Sequence, residues 1–179
     1  MPHIGISNDL PGITGLMVQR PDTAAPLNQL AETLLRGPGT LSRGERELIA
    51  AYTSELNETQ FCSASHSAFA AAQLEGGRDV VKAVLHDLDE APVTPRLRAL
   101  LRIAAEVRGP VRALSPEVVA AARAAGAGDD EIHDTVLIAA AFCLYNRYVS
   151  CLDTELPTDP GYYEEGAERI VTRGYAPPR

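Results

Sequence analysis

The chain has 179 residues, a formal net charge of −8 and 45% apolar residues, few of them aromatic, which suits a single domain with a sizeable core. Because binding to phosphates needs a basic surface, this acidic balance excludes the usual nucleic-acid binders and argues against anionic membranes. The apolar runs are too short to span a membrane and the first residues do not resemble a signal peptide, so we expect a soluble protein.

The N-terminal residues 1–22 are rich in proline and glycine and predict an irregular arm with at most one short helical turn. Its apolar residues are suited to packing on a neighbouring surface. We expect one all-helical domain over residues 23–179. Its first helix is predicted over residues 24–36, where leucines form one stripe that ends at Gly37-Pro38-Gly39.

The next two helices are predicted from local signals. Ser42 and Glu45 have the spacing of a capping box, which predicts a helix from there to about Leu56. After a brief break, Thr59 is placed to start a third helix that Gly76-Gly77 would stop. A short helix over residues 79–87 follows.

Four further helices complete the prediction. Thr94-Pro95 and Ser115-Pro116 each combine a capping residue with a proline at the first helical position. A long helix is expected from Asp129 or Asp130 to about residue 154, and a short one over residues 162–171. Since no segment shows sustained period-two alternation, the sequence predicts an all-α fold.

The residues best suited to chemistry are Cys62 and His66, one helical turn apart near the start of the third helix. The positive end of the helix and a nearby imidazole would both favour the thiolate, which is the nucleophilic form of cysteine. A carboxylate could orient the imidazole, and Glu47 on the preceding helix is a candidate. The spacing therefore predicts a small site for thiol chemistry.

Two other interpretations of the pair remain open. A cysteine on a helix is more often a small core residue, and a histidine is more often an ordinary polar group. The pair could also supply two ligands of a zinc or iron site, with Glu47 and His133 as the suggestive additional ligands. Because the usual metal-binding spacings are absent, we expect no metal and no cofactor.

The stretch GERELIAAYTSELNETQFCSASHSAFAAA, at residues 44–72, resembles the signature of the AhpD-like superfamily. This superfamily includes alkylhydroperoxidase-type and carboxymuconolactone decarboxylase-type proteins, and the sequence is most similar to its peroxidase-related branch. The flanking segments LPGITGLMVQRPDTAAPLNQLAETLLRG and DDEIHDTVLIAAAFCLYNRYVSCL agree, so the resemblance covers about residues 9–155. It implies an AhpD-like helical bundle.

The resemblance also assigns roles. The family site is a glutamate, eleven residues, Cys-x-x-Cys, three residues and a histidine, and Glu47, Cys62 and His66 match three of its positions. It implies that Glu47 and His66 relay a proton from Cys62, whose thiolate attacks a hydroperoxide. Thr59 stands where the family has its first, resolving cysteine. We expect Thr59 to preserve the helix start as a cap; the alternative is a bond to substrate or to the Cys62 sulfur.

Without that second thiol, sulfenic acid formed at Cys62 would need an external thiol reductant, or Cys143 or Cys151 brought close by the fold. Cys143 and Cys151 lie eight residues apart on one predicted helix, about 12 Å, and so cannot readily pair with each other. We expect both to be core or interface residues. An odd, sparse cysteine set also favours a reducing cytoplasm.

The sequence leaves three functions open. The first is a thiol-dependent peroxidase with Cys62 as nucleophile. The second is a decarboxylase or lyase on the same scaffold, in which Glu47 and His66 perform acid–base chemistry. The third is a non-catalytic binding protein that keeps a relic site. For all three, the resemblance implies a homo-oligomer (dimer, trimer or hexamer), and the N-terminal arm and the long helix are suited to form its interfaces. In each case we expect a small molecule as substrate or ligand.

Overall fold

Helices are the only regular secondary structure in the computed structural model, which describes residues 2–110, 112–159 and 161–176. The predicted all-α class is confirmed for these residues. In chain order the helices are α1 (Gly12–Gln19), α2 (Pro21–Arg36), α3 (Arg43–Leu56), α4 (Gln60–Ala71), α5 (Gly77–His86), α6 (Pro95–Val107), α7 (Pro116–Ala124), α8 (Asp129–Ser150) and α9 (Tyr162–Arg173).

The N-terminal segment holds more helix than the sequence predicts. Residues 12–19 form two turns, α1, where we expected an irregular arm. The next helix starts at Pro21 rather than at residue 24, because a proline at the first helical position already has the required φ angle and its missing N–H has no helical partner to lose. The first residues lie beside the segment that follows α8, with the N–H groups of His3 and Gly12 donating to the carbonyls of Leu152 and Glu155 at 3.0 and 2.9 Å.

The caps predicted at Ser42 and Thr94 form as expected. Ser42 and Glu45 make a reciprocal capping box at the start of α3, with distances of 3.2 Å from Glu45 N to Ser42 Oγ and 2.7 Å from Ser42 N to Glu45 Oε2. Thr94 caps α6 through Leu97 N at 3.2 Å. These bonds satisfy free amide groups at the helix starts, so the helix boundaries follow from local sequence.

Helix α3 lies at the centre of the bundle and packs against α4, α6 and α8. Buried Arg46 secures its start, because its guanidinium donates to the carbonyls of Leu34, Leu41 and Gly37 at 3.0 to 3.1 Å. These carbonyls lie at and beyond the end of α2, where a helix leaves backbone acceptors unpaired. Arg46 thereby fixes the position of its neighbour Glu47 in the core.

The C-terminal helices differ from the prediction in their ends. Helix α8 stops at Ser150, four residues early, and α9 continues to Arg173. Helix α9 packs on α4 and brings the residues after it back toward the centre of the bundle. Within the described part of the chain, no helix has the length and apolar character needed to cross a membrane.

Candidate active site

The carboxylate of Glu47 lies at the centre of the candidate site and is fully buried, with 0% of its surface exposed. Its Oε2 is 2.7 Å from His66 Nδ1 on α4, and its Oε1 accepts a hydrogen bond of 2.6 Å from the Tyr175 hydroxyl. A buried carboxylate is costly without donors, and here each oxygen has one. The structure therefore brings Glu47 and His66 together, as predicted.

The His66 imidazole is held in an aromatic enclosure. Its ring meets Phe142 edge-on at a centroid distance of 4.5 Å and Phe69 at 5.1 Å, and it lies nearly parallel to Tyr175 at 6.3 Å. Packing on these sides fixes the ring plane, while the bond to Glu47 fixes which nitrogen faces the carboxylate. The ring is thus oriented before any substrate binds.

The bond to Glu47 also defines the protonation pattern of the neutral His66 ring. A carboxylate can only accept a hydrogen bond, so Nδ1 carries the proton and Nε2 keeps its lone pair. Among the described residues, His66 makes no hydrogen bond through Nε2. Nε2 is therefore the atom that can take a proton, and Glu47 then stabilises the resulting imidazolium.

The third predicted residue, Cys62, lies in the first turn of α4 and is only 3% exposed. It packs with Phe61 and Val149, and Ile13, Tyr162 and Tyr163 pack against this cluster. Burial raises the pKa of the Cys62 thiol to about 11, and a hydrogen bond from Asn146 lowers it only in part. Our expectation of a stabilised thiolate is therefore wrong for the resting structure, because removal from water outweighs the favourable helix end.

The thiol's polar partner, Asn146, was missed as a site residue in the sequence. It is buried on α8, and besides bonding to Cys62 it donates to Ser54 Oγ at 3.0 Å and accepts from Asn57 Nδ2 at 2.9 Å. A fully bonded amide of this kind holds its position well. An asparagine on the apolar face of a helix was the signal that could have found it.

The second missed residue, Tyr175, follows α9. Gly174 turns the chain back toward the bundle with φ +78°, a conformation that glycine adopts without steric cost. The Tyr175 amide then donates to Glu32 Oε2 on α2 at 2.7 Å, which anchors the turn. Burial raises the pKa of the Tyr175 hydroxyl, and the Glu47 carboxylate raises it further, so this hydroxyl keeps its proton and donates it.

Thr59 occupies the N-cap position of α4, but its side chain makes no capping hydrogen bond. Its hydroxyl instead lies 3.0 Å from Ser150 Oγ, at the end of α8. The expectation that Thr59 serves as a side-chain cap is therefore wrong, and a bond to Cys62 is not formed either. The hydroxyl links the two helices that carry Cys62 and Asn146.

The other candidate residues lie apart from the site. His133 is exposed on α8 beside Asp134, and no three histidine, cysteine or acidic side chains of the described chain cluster as metal ligands do. All three cysteines are free. Cys143 is partly buried, and Asn57 donates to its sulfur at 3.6 Å. Cys151 is exposed at the end of α8, which excludes the core position we allowed for it.

Glu47 and Cys62 have almost no solvent-exposed surface in this conformation. One surface groove lies between α4 and α9 over Ala68, Ala71 and Ala167, and another lies at the start of α8, and neither includes Glu47, Cys62 or His66. Ile13, Tyr162 and Tyr163 are partly buried and pack against the cluster of Phe61, Cys62 and Val149. Because only 3% of its surface is exposed, Cys62 needs a local movement of its neighbours before a substrate can reach it.

Comparisons with known proteins agree with this architecture. Residues 21–106, which include Glu47, Cys62 and His66, match the model of the carboxymuconolactone decarboxylase family. A structure from Ralstonia eutropha JMP134, described as an alkylhydroperoxidase AhpD core and an uncharacterised peroxidase-related protein, is 25% identical, with a TM-score of 0.77 over 90% of this chain and 83% of that one. A peroxidase-related protein from Silicibacter sp. TM1040 shares the fold at 23% identity, with a TM-score of 0.75 over 86% and 78% of the two chains. No curated protein matches the chain significantly.

Proposed function

From the premise that this chain is an AhpD-like protein of the peroxidase-related branch, we propose that it is a thiol-dependent peroxidase with Cys62 as nucleophile. The observation that carries the proposal is the oriented Glu47–His66 pair, in which Nδ1 is 2.7 Å from Oε2, one helical turn from a cysteine. Two further residues support this group: Tyr175 bonds to Glu47, and Asn146 bonds to the Cys62 thiol.

In the first step a hydroperoxide reaches Cys62 and His66 Nε2 takes the thiol proton. The sulfur attacks the terminal peroxide oxygen, the O–O bond breaks, and the imidazolium returns its proton to the departing alkoxide. The products are sulfenic acid at Cys62 and an alcohol. Burial disfavours a permanent thiolate, so on this scheme the proton leaves only when a substrate is present to react.

The second step needs a reductant from outside the site, because position 59 carries threonine. An external thiol condenses with the sulfenic acid, which releases water and leaves a mixed disulfide. A second thiol then restores Cys62 and leaves as a disulfide. A reducing cytoplasm would supply such thiols, and an antioxidant role follows from the chemistry.

The surroundings of Cys62 favour an organic hydroperoxide over hydrogen peroxide. Aromatic and aliphatic side chains from α1, α4, α8 and α9 meet around the sulfur: Phe61, Val149, Ile13, Tyr162 and Tyr163. An alkyl group would gain from contact with them, at about 25 cal/mol for each Å² removed from water. We therefore expect activity to rise with the size of the alkyl group until the enclosure is filled.

The proposal is tested by following tert-butyl hydroperoxide consumption with dithiothreitol as the external thiol. We expect activity in a Cys143→Ser/Cys151→Ser variant, which keeps Cys62 alone, and none above background in Cys62→Ser. Equal rates in both variants would reject Cys62 as the nucleophile.

An acid–base enzyme of the decarboxylase or lyase type is the second candidate. The buried, protonated Cys62 favours it, and so does the fact that His66 bonds to Glu47 and not to the thiol. In that case Nε2 would move a proton on a carbon acid, and the thiol would only line the site. This second candidate predicts that activity toward the substrate survives Cys62→Ser but is lost in His66→Ala.

A further inference from the structure

Two adjacent tyrosines at the start of α9 pack against the residues around the thiol. Tyr162 and Tyr163 both contact the cluster of Phe61, Cys62 and Val149. Their ring centroids lie 6.1 and 6.2 Å from that of Phe61, which directly precedes Cys62 on α4. Helix α9 therefore brings two phenol groups to the cluster that contains the nucleophile of the proposed reaction.

The two hydroxyl groups differ in their partners. The Tyr162 hydroxyl lies 3.1 Å from Thr14 Oγ1 on α1, a hydrogen bond that links α9 to α1. The Tyr163 hydroxyl makes no hydrogen bond with any of the described residues. Tyrosine hydroxyls that are partly buried usually have a partner, so an unused donor at this position calls for one from outside the chain.

The Tyr163 hydroxyl is also near the sulfur and holds its proton. Burial raises the pKa of Tyr163, and negative charge on Tyr162 or on the nearby Cys62 sulfur raises it further. The hydroxyl therefore stays protonated while charge develops at the thiol, and it can donate a hydrogen bond to an oxygen that is held there.

The attack of a thiol on a hydroperoxide creates a need for such a donor. When the sulfur bonds to the terminal oxygen, the electron pair of the O–O bond leaves with the second oxygen, which becomes a strongly basic alkoxide. A donor that faces this oxygen lowers the barrier. Asn146 is not free for this role, because its two N–H donors already bond to Cys62 and to Ser54 Oγ.

Building on the proposed peroxidase function, we propose that the Tyr163 hydroxyl binds the departing oxygen of the hydroperoxide at Cys62. His66 takes the thiol proton, the S–O bond forms, and the O–O bond breaks. Tyr163 donates its hydrogen bond to the departing oxygen and keeps its own proton. The His66 imidazolium then protonates that oxygen, so the products are sulfenic acid and an alcohol. Cys62 on α4 and Tyr163 on α9 thus act on the two different oxygens of the substrate.

The test compares two peroxides that differ in the anion they release. tert-Butyl hydroperoxide releases an alkoxide, whereas peracetic acid releases acetate, a stable anion that gains little from a hydrogen bond. Each reacts with the protein in the presence of dimedone, and peptide mass spectrometry follows the adduct at Cys62. We expect Tyr163→Phe to slow the reaction with tert-butyl hydroperoxide about 10- to 100-fold and to change the reaction with peracetic acid little.

Tyr162→Phe is the matched control, since it removes the neighbouring hydroxyl, which bonds to Thr14. A disturbance of the start of α9 acts equally on both peroxides, so the ratio of the two rates in Tyr162→Phe should equal that of the wild type. The inference is overturned if Tyr163→Phe keeps the wild-type ratio or if Tyr162→Phe changes the ratio as much. If neither peroxide oxidises Cys62 in the wild type, the proposed function itself fails, and this role of Tyr163 fails with it.

Discussion

The imidazole of His66 on α4 reaches the buried carboxylate of Glu47 on α3, with Nδ1 2.7 Å from Oε2. Nineteen residues separate the two along the chain. The contact turns an ordinary histidine into a ring with one defined basic nitrogen, since the carboxylate fixes the proton on Nδ1.

Removal of the Tyr175 hydroxyl should slow the reaction. In Tyr175→Phe, Glu47 Oε1 loses its 2.6 Å donor, and we expect a loss of roughly 1–3 kcal/mol in the free energy of unfolding and about a tenfold lower rate of peroxide consumption. Tyr145→Phe is the matched control, because its buried hydroxyl donates to a backbone carbonyl at 2.9 Å away from the relay. It should lose stability and keep its rate; an equal fall in rate would assign Tyr175 a structural role only.

The pH dependence of Cys62 alkylation should reflect its burial. Because the pKa of the thiol is about 11, the thiolate fraction at pH 7 is about one in ten thousand. In the folded protein the rate with iodoacetamide should rise about tenfold per pH unit up to about pH 11. The raised pKa also means that folding favours the protonated thiol, so its contribution to stability is complete below about pH 9 and is lost as the pH rises toward 11. Peptide mass spectrometry gives the rate at Cys62, and a plateau below pH 8 would contradict this account.

A second thiol at position 59 should restore internal resolution. In Thr59→Cys the new residue lies three positions before Cys62 at the start of α4, within the Cα separation that a disulfide spans. After treatment with one equivalent of hydroperoxide we expect a disulfide between the introduced thiol and Cys62, and no trappable sulfenic acid. Thr59→Ser, which keeps a hydroxyl, should behave as the wild type. Persistence of sulfenic acid in Thr59→Cys would show that the two positions cannot pair.

Gly12 should be sensitive to substitution because of its contact with the site. Its φ is +57°, and an added Cβ would lie 2.3 Å from the ring of Phe61, the neighbour of Cys62. We expect Gly12→Ala to lower the free energy of unfolding by about 1–3 kcal/mol. Gly5→Ala is the control, since no atom lies within 4 Å of its added Cβ. Equal stabilities in denaturant titrations of the two variants would reject this contact.

The features that could be predicted from sequence are those set by local chemistry. The capping box at Ser42 and the cap at Thr94 each depend on residues three positions apart, so their spacing is sufficient. The one-turn separation of Cys62 and His66 is likewise a property of any helix. Glu47 could be assigned because the resemblance supplied its spacing to Cys62.

The features that could not be predicted depend on long-range packing. Tyr175 meets Glu47 across 128 residues, through a turn that Glu32 anchors, and no local pattern encodes that contact. The protonation of Cys62 was predicted in the wrong direction, because the helix end is visible in the sequence whereas the packing that buries the thiol is not. Helix α1 was missed because Pro11, which precedes it, and its glycines Gly12 and Gly15 are typical of a loop.

The most direct test of the central claim is the oxidation of Cys62 itself. The Cys143→Ser/Cys151→Ser variant is treated with one equivalent of tert-butyl hydroperoxide in the presence of dimedone, and the protein mass is measured over time. We predict a single dimedone adduct on Cys62. Adding His66→Ala should slow its formation about 10²- to 10⁴-fold. Adding His86→Ala instead, at an exposed histidine, should leave the rate unchanged. If Cys62 remains unmodified, or if the adduct forms equally fast with and without His66, the claim that this protein is a peroxidase using the Glu47–His66 pair is contradicted.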